Sequence, residues 1–274
     1  MSIAKSLLVT TFTNYVKDFQ SKINAIKSEI ASGKNTLTTE QQNTVTTLSD
    51  QVKSYSTPQA SITAAQNTIS VAQTGITSIQ KLMNQMQQLA TQATNPQLSS
   101  YDSTNMNYRF QQLVTEVGKL ATSASLNGTN LLSGSAGMNV ITGTDKTAAS
   151  RSFVNSVDIY GMMTTGLLSN IKLDSPSNAQ SAMWALNSAL AQITSGQASL
   201  KATTNRLTAQ ASKLSGLSNT AQQSIDTLQN IDITKLNTQL TQLQSQQNIN
   251  YQLISQLDST AYKNLKLLAL TSSS

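Results

Sequence analysis

The sequence predicts a mainly α fold: long antiparallel coiled-coil helices forming a rod-like bundle, with a small central β-hairpin region. Three observations predict it. Apolar residues recur in steps of four and three through several long stretches, the heptad spacing of helices packed lengthwise. Only 38% of residues are hydrophobic and 4% aromatic, too few for a thick core but enough for narrow seams under a wet surface. Glycine-punctuated, β-prone runs are confined to residues 129–174.

The longest seam organises the chain. It runs from Ser175 and Pro176 to about Asn230 through Ala179, Met183, Leu186, Leu190, Ile193, Leu200, Leu207, Ala211, Leu214, Ala221, Ile225 and Leu228, with polar Gln197, Thr204 and Ser218 in its gaps. A helix of that length spans roughly 80 Å and needs partners along its side.

The other elements supply them. At the N-terminus Leu8, Phe12, Tyr15, Phe19, Ile23, Ile26 and Ile30 form one stripe, and Gly33 follows as a C-cap. Residues 34–57, with only Leu37, Val45, Leu48 and Val52 apolar, read as a loop and a short helix. Thr57 and Pro58 then read as the N-cap and first-turn proline of a new helix. Its seam passes through Ile62, Ile69, Ile76, Met83 and Ala90 and stops at Asn95 and Pro96. Asp102 is the expected cap of the next helix, whose seam is Met106, Phe110, Leu113, Val117, Leu120 and Ala124, ending at Asn127 and Gly128.

Runs 138–142, 153–160 and 167–173 read as two or three short strands. The final helix carries Leu236, Leu240, Leu243, Ile254, Leu257, Ala261, Leu265 and Leu268, with Gln247 and Asn250 interrupting the stripe. Amphipathic helices thus lie at both ends, and the first is expected to pair with the last. Two domains follow: a terminal coiled coil of 1–40 plus 232–274, and a helical bundle of 41–231 with a hairpin segment near 135–174.

Much chemistry is excluded. The chain has no Cys and no His, which removes thiol chemistry, the commonest metal ligand and the usual general base. Its acids, such as Glu29, Glu40, Glu116, Asp174 and Asp226, are scattered over different helices, with no converging pair. No catalytic, cofactor-binding or metal-ligating residue is assigned, and the chain is not expected to be an enzyme. Net charge is +6, yet only 11% of residues are charged and none of the cations cluster, so nucleic acid is not an expected partner. No run is long enough to insert in a membrane, and no signal-peptide pattern opens the chain; secretion, if it occurs, uses another route. The Asn127-Gly-Thr triplet reads as a turn.

Several segments resemble bacterial flagellin. Ile69-Ser-Val-Ala-Gln73 and Met83-Asn-Gln-Met-Gln-Gln-Leu-Ala-Thr-Gln-Ala-Thr-Asn95 look like its first long helix. Arg109-Phe-Gln-Gln-Leu-Val-Thr-Glu116, followed by Leu126-Asn-Gly-Thr-Asn-Leu-Leu-Ser-Gly134, looks like its second helix and the turn after it. Ser32 and Gly33 match the close of its N-terminal helix, and 231–268 is similar to its C-terminal helix. The chain departs from the family in having a polar, acid-poor connector at 36–43, and in leaving little room for outer domains. The resemblance therefore implies a minimal form with only the two inner domains.

It also implies a function: a structural subunit, exported unfolded through a flagellar type III channel and self-polymerising into the motility filament outside the cell. The implied partners are further copies of the chain, cap and hook-associated proteins, and an export chaperone. The stripe residues of the two terminal helices become the filament-core packing positions. The family is sensed by a Toll-like receptor through an arginine-rich patch on the first long helix. The matching positions here are Gln85, Gln87 and Gln88, with Leu89 beside them; glutamine lacks the charge for bidentate pairing, so weak activation is expected. The alternatives are a hook–filament junction protein and a soluble coiled-coil export adaptor.

Overall fold

Side-chain caps fix where the helices of this chain begin and glycine or asparagine where several end. The computed structural model describes the backbone of residues 2–145 and 147–271, and side-chain surroundings for 9–145, 147–256 and 259. Helix α1 (Ser2–Ser32) stops where Gly33 takes a φ of +67°, the left-handed conformation that glycine adopts without a Cβ penalty. Helix α2 (Thr39–Ala93) opens on a capping box. Thr38 Oγ1 accepts from the Gln41 backbone N–H at 3.2 Å, and Gln41 Oε1 accepts from the Thr38 N–H at 2.9 Å.

Helix α3 (Ser100–Ser123) is capped by Ser99, whose hydroxyl accepts from the Asp102 N–H. Asp102 therefore lies inside the first turn, where its charge suits the helix N-terminus, rather than at the cap the sequence predicted. Strands β1 (Ser125–Leu126) and β2 (Thr129–Asn130) pair antiparallel about Asn127 and Gly128, both at positive φ (50° and 79°). That is the two-residue hairpin turn Asn-Gly favours. Asn130 Nδ2 donates to the Ala121 and Thr122 carbonyls while its Oδ1 accepts from the Leu132 and Ser133 N–H groups. One side chain thus satisfies the end of α3 and turns the chain into the following segment.

Strands β3 (Met138–Ile141) and β4 (Arg151–Val154) form a second antiparallel hairpin with Val140 and Val154 buried. Helix α4 (Ile159–Thr164) follows, capped by Asp158. Two expectations are corrected here. The run 153–160 is strand only to Val154 and then becomes α4, because Asp158 accepts from the Gly161 N–H and nucleates a turn. The run 167–173 forms turns, not a strand; Gln111 Nε2 and Ser103 Oγ of α3 donate to its Ile171 and Leu173 carbonyls.

Helix α5 (Pro176–Gln229) begins at Ser175, as predicted, with the Ser175 hydroxyl accepting from the Asn178 N–H. Helix α6 (Ile233–Thr271) is capped by Asp232 through the Lys235 N–H.

One further correction concerns α2. Thr57 and Pro58 do not start a helix; α2 is continuous for 55 residues with a buried Pro58 inside it. A proline in a helix interior removes one backbone donor. Here the preceding turn carries hydroxyls that donate to nearby carbonyls, Ser54 Oγ to Gln51 O and Ser56 Oγ to Lys53 O, each at 2.7 Å. The capping box at residues 38–41 supplies the true start.

The chain divides into two compact units. Unit 1 is Met1–Ser49 with Gln222–Ser274, and unit 2 is Asp50–Ala221. In unit 2, α2 and α5 run antiparallel, as side-chain bonds from Gln66 to Thr208 and from Gln87 to Asn187 require. Their seams, including Ile62, Ile69, Ile76, Met83, Leu186, Ile193 and Leu200, are buried with Phe110 and Val117 of α3. Both helices carry a glycine where the β segment seats. A Cβ on Gly75 would lie 2.8 Å from Leu132 Cδ1, and one on Gly196 would lie 2.5 Å from Val157 Cγ2. The backbone bonds Val157 N–H to Leu131 O and Tyr160 N–H to Leu132 O tie these two inserted stretches together.

Candidate assembly surface

In unit 1, α1 and α6 pack against each other. Their antiparallel pairing is fixed at two levels. Gln247 Nε2 donates to Gln20 Oε1 at 2.9 Å. Beyond the turn at Gly33, the Asn35 N–H donates to the Gln229 carbonyl at 2.8 Å, and Lys34 and Asn230 form an antiparallel bridge. Glu29 Oε1 accepts from the Thr36 N–H, which holds the polar connector against the end of α1.

The packed face of α1 is Phe12, Val16, Phe19, Ile23, Ile26 and Ile30, an unbroken alternation of four and three. Ile23 is 2% exposed and Val16 is also buried, while the others are half-buried. Tyr15, which the stripe reading included, is 52% exposed, with its ring edge-on to Phe12 at 6.5 Å between centroids. The sequence did contain the signal: from Phe12 onward, Val16 in place of Tyr15 gives a strict alternation of four and three, where Tyr15 leaves two successive fours. An aromatic residue drew the choice to the wrong neighbour.

On α6, Leu236, Leu240, Leu243 and Ile254 are half-buried, on the face that also holds Gln247. Gln247, noted only as an interruption, is the buried member, 9% exposed. Leu8, Leu257, Leu265 and Leu268 lie outside the residues whose side chains are described.

The receptor-patch positions fall on α2 in unit 2 and differ in availability. Gln85 and Gln88 are exposed, Gln87 donates to Asn187 Oδ1 at 2.6 Å, and Leu89 is in the core at 7% exposed. Among the described residues no group of His, Cys, Asp or Glu could hold a metal ion, and no helix is long and apolar enough to cross a membrane. What these faces can do chemically is associate: they are half-buried apolar stripes with hydrogen-bonding amides at intervals.

Comparison with known proteins bears on this arrangement. The family model for the bacterial flagellin N-terminal helical region matches residues 6–137, and that for the C-terminal helical region matches residues 183–268. The crystal structure of Bacillus cereus flagellin is similar over 57% of this chain and 88% of its own, with 21% identity and a TM-score of 0.50, and so shares the fold. FliC from Burkholderia pseudomallei is 17% identical over 52% of this chain and 99% of its own, with a TM-score of 0.42. No curated protein matches the sequence.

Proposed function

The chain belongs to the bacterial flagellin family and is a structural, non-enzymatic subunit of a self-assembling flagellar filament outside the cell, and on that premise we propose that α1 and α6 are the surfaces through which its copies join. The observation that carries this reading is the partial burial of both stripes. Within one chain Phe12, Phe19, Ile26, Leu236, Leu240 and Leu243 stay only half-buried. Full burial of such a side chain from water is worth about 1.5–3 kcal/mol, so completing a half-burial contributes about half of that each. Several of them per chain outweigh the ordering cost of docking. Contacts between copies that repeat head to tail without closing generate an open helical filament.

The finer reading follows the family. The terminal coiled coil of 1–40 plus 232–274 acts as the filament-core domain, and 41–231 as a separate rod-like bundle domain. Export proceeds unfolded through a type III channel with a chaperone, and growth occurs beneath a cap, beyond hook-associated proteins. A Cys-free chain with three prolines suits threading through a narrow channel.

Removing residues 236–274 tests the assembly role. Seeded with filament fragments, the truncated chain is expected to give no filaments in negative-stain electron microscopy, while unit 2 still unfolds cooperatively. Normal filaments from it would overturn the proposal. The receptor expectation stands beside it: with glutamines at 85, 87 and 88 and Leu89 in the core, purified monomer should activate Toll-like-receptor reporter cells weakly. Potent activation would refute that.

A further inference from the structure

One end of unit 2 carries no charge. Residues 82–101, which close α2 and lead into α3, and residues 175–200, which open α5, contain no Lys, Arg, Asp or Glu. The bond from Gln87 to Asn187 joins these two uncharged stretches. On their surface lies Trp184, the chain's single tryptophan, 74% exposed.

Ser177, Gln180 and Asn187 accompany Trp184 at intervals of three and four. One face of α5 therefore presents a hydroxyl, an amide, the indole and a second amide over about 15 Å. With Thr94 and Met183 they line a groove of about 740 Å³, within the roughly 300–1,000 Å³ usual for small-ligand sites. Its polar groups are set to bond outward. Asn187 Oδ1 accepts from Gln87 Nε2 at 2.6 Å, which orients that amide and leaves its NH₂ as a donor. Thr94 Oγ1 donates to the Thr91 carbonyl at 2.7 Å, so its oxygen remains an acceptor. Ser177 and Gln180 are exposed.

The lining selects the ligand's chemistry. It offers no counter-charge to an ionic ligand. It also suits a helix poorly. A helix seats through apolar side chains repeated every three or four residues, whereas among the described residues of α5 the exposed large hydrophobics are only Trp184 and the distant Leu217. An apolar partner would strip water from the amides and hydroxyls without replacing their bonds, which is costly. A pyranose ring with equatorial hydroxyls meets both demands. Its flat face is made of C–H groups that are slightly positive and suit the negative face of the indole, and its rim is made of hydroxyls that exchange hydrogen bonds with amides.

We propose that this groove binds a neutral oligosaccharide of pyranose rings with equatorial hydroxyls, one ring stacked on Trp184 and its neighbours held by Gln180, Asn187, Ser177 and Thr94. The proposal is independent of the assembly role of α1 and α6.

The full chain reports on this groove directly, because its tryptophan emission comes from Trp184 alone. The probes are a tetrasaccharide of β-1,4-linked glucose and a trisaccharide of β-1,4-linked N-acetylglucosamine, with a heparin tetrasaccharide as the charged comparison. At least one neutral probe is expected to shift the emission to the blue and saturate with a Kd of about 0.1–1 mM, while the heparin fragment binds at least about tenfold more weakly. Gln180→Ala should raise the Kd about three- to tenfold, as loss of a hydrogen bond does. Trp184→Ala, checked for unchanged helix content by circular dichroism, should abolish the heat of binding in calorimetry. No saturable change with either neutral probe overturns the proposal, as does equal binding of the charged fragment, an unaltered Kd in Gln180→Ala, or undiminished heat in Trp184→Ala. An emission shift that follows protein concentration without any sugar would show that a second copy covers Trp184, and would overturn it too.

Discussion

Gln247 donates its side-chain N–H to Gln20 Oε1 at 2.9 Å across 227 residues of chain, and it does so from a seam position that Leu236, Leu240 and Leu243 would lead one to expect apolar. Gln20 passes the interaction on by donating to Asn24 Oδ1 at 3.0 Å. A polar residue at a core heptad position narrows the set of registers two helices can adopt, at a cost in stability. A stripe of leucines alone tolerates sliding by a heptad; a buried amide needing one partner does not.

Replacing Gln247 with leucine therefore has opposite effects on stability and order. The lost hydrogen bond is worth about 0.5–1.5 kcal/mol net, and a buried leucine contributes about 1.5–3 kcal/mol. Gln20 is exposed, so its freed oxygen bonds to water. Gln247→Leu is expected to stabilise unit 1 by about 1 kcal/mol in denaturant unfolding while making filaments less regular in electron micrographs. A destabilised variant would show that the amide pair contributes more than its burial costs.

The glycines of α5 give a pair of predictions with opposite signs. At Gly196 an added methyl would lie 2.5 Å from Val157. Overpacking of that kind costs about 1–3 kcal/mol, against a helix-propensity gain of about 1 kcal/mol. Gly216 meets nothing within 4 Å, so only the propensity gain of about 0.5–1 kcal/mol remains. Gly196→Ala should lower the melting temperature of the chain and Gly216→Ala raise it. The same sign for both would mean that the Val157 strap can shift without loss.

Much of this arrangement was legible in the sequence, because heptad spacing is a direct imprint of helix geometry. The ends of α1 and α5, the Asn127–Gly128 turn and the seams of α2, α3 and α5 could all be read from residue type and interval. What failed failed locally. Ser99 and Thr38 cap helices through partners three residues on, and both were passed over for a more conspicuous neighbour, Asp102 and Pro58. Val16 lost to Tyr15 because a larger aromatic looks more like core than a valine, although the interval favours valine. Gln247 looked like a gap because its partner, Gln20, is 227 residues distant. Helix α4 was hidden by a run of β-prone residues whose outcome depends on Asp158, which accepts from both the Gly134 and Gly161 N–H groups.

Pro58 offers the last test, because its position inside α2 sets two known quantities against each other. Its ring leaves the helix one backbone donor short, and interior proline costs a helix about 3 kcal/mol relative to alanine. Its burial in unit 2 returns part of that, since two ring methylenes withdrawn from water contribute about 0.8 kcal/mol each. Pro58→Ala is then expected to stabilise the chain by about 1 kcal/mol, seen as a higher denaturant midpoint with an unchanged slope. A lower midpoint would mean that the cavity left by the ring outweighs the restored hydrogen bond, and that Pro58 is kept in α2 by packing alone. A changed slope would instead show that α2 had been two helices in the unfolding reaction, with the turn around Ser54 and Ser56 as the joint between them.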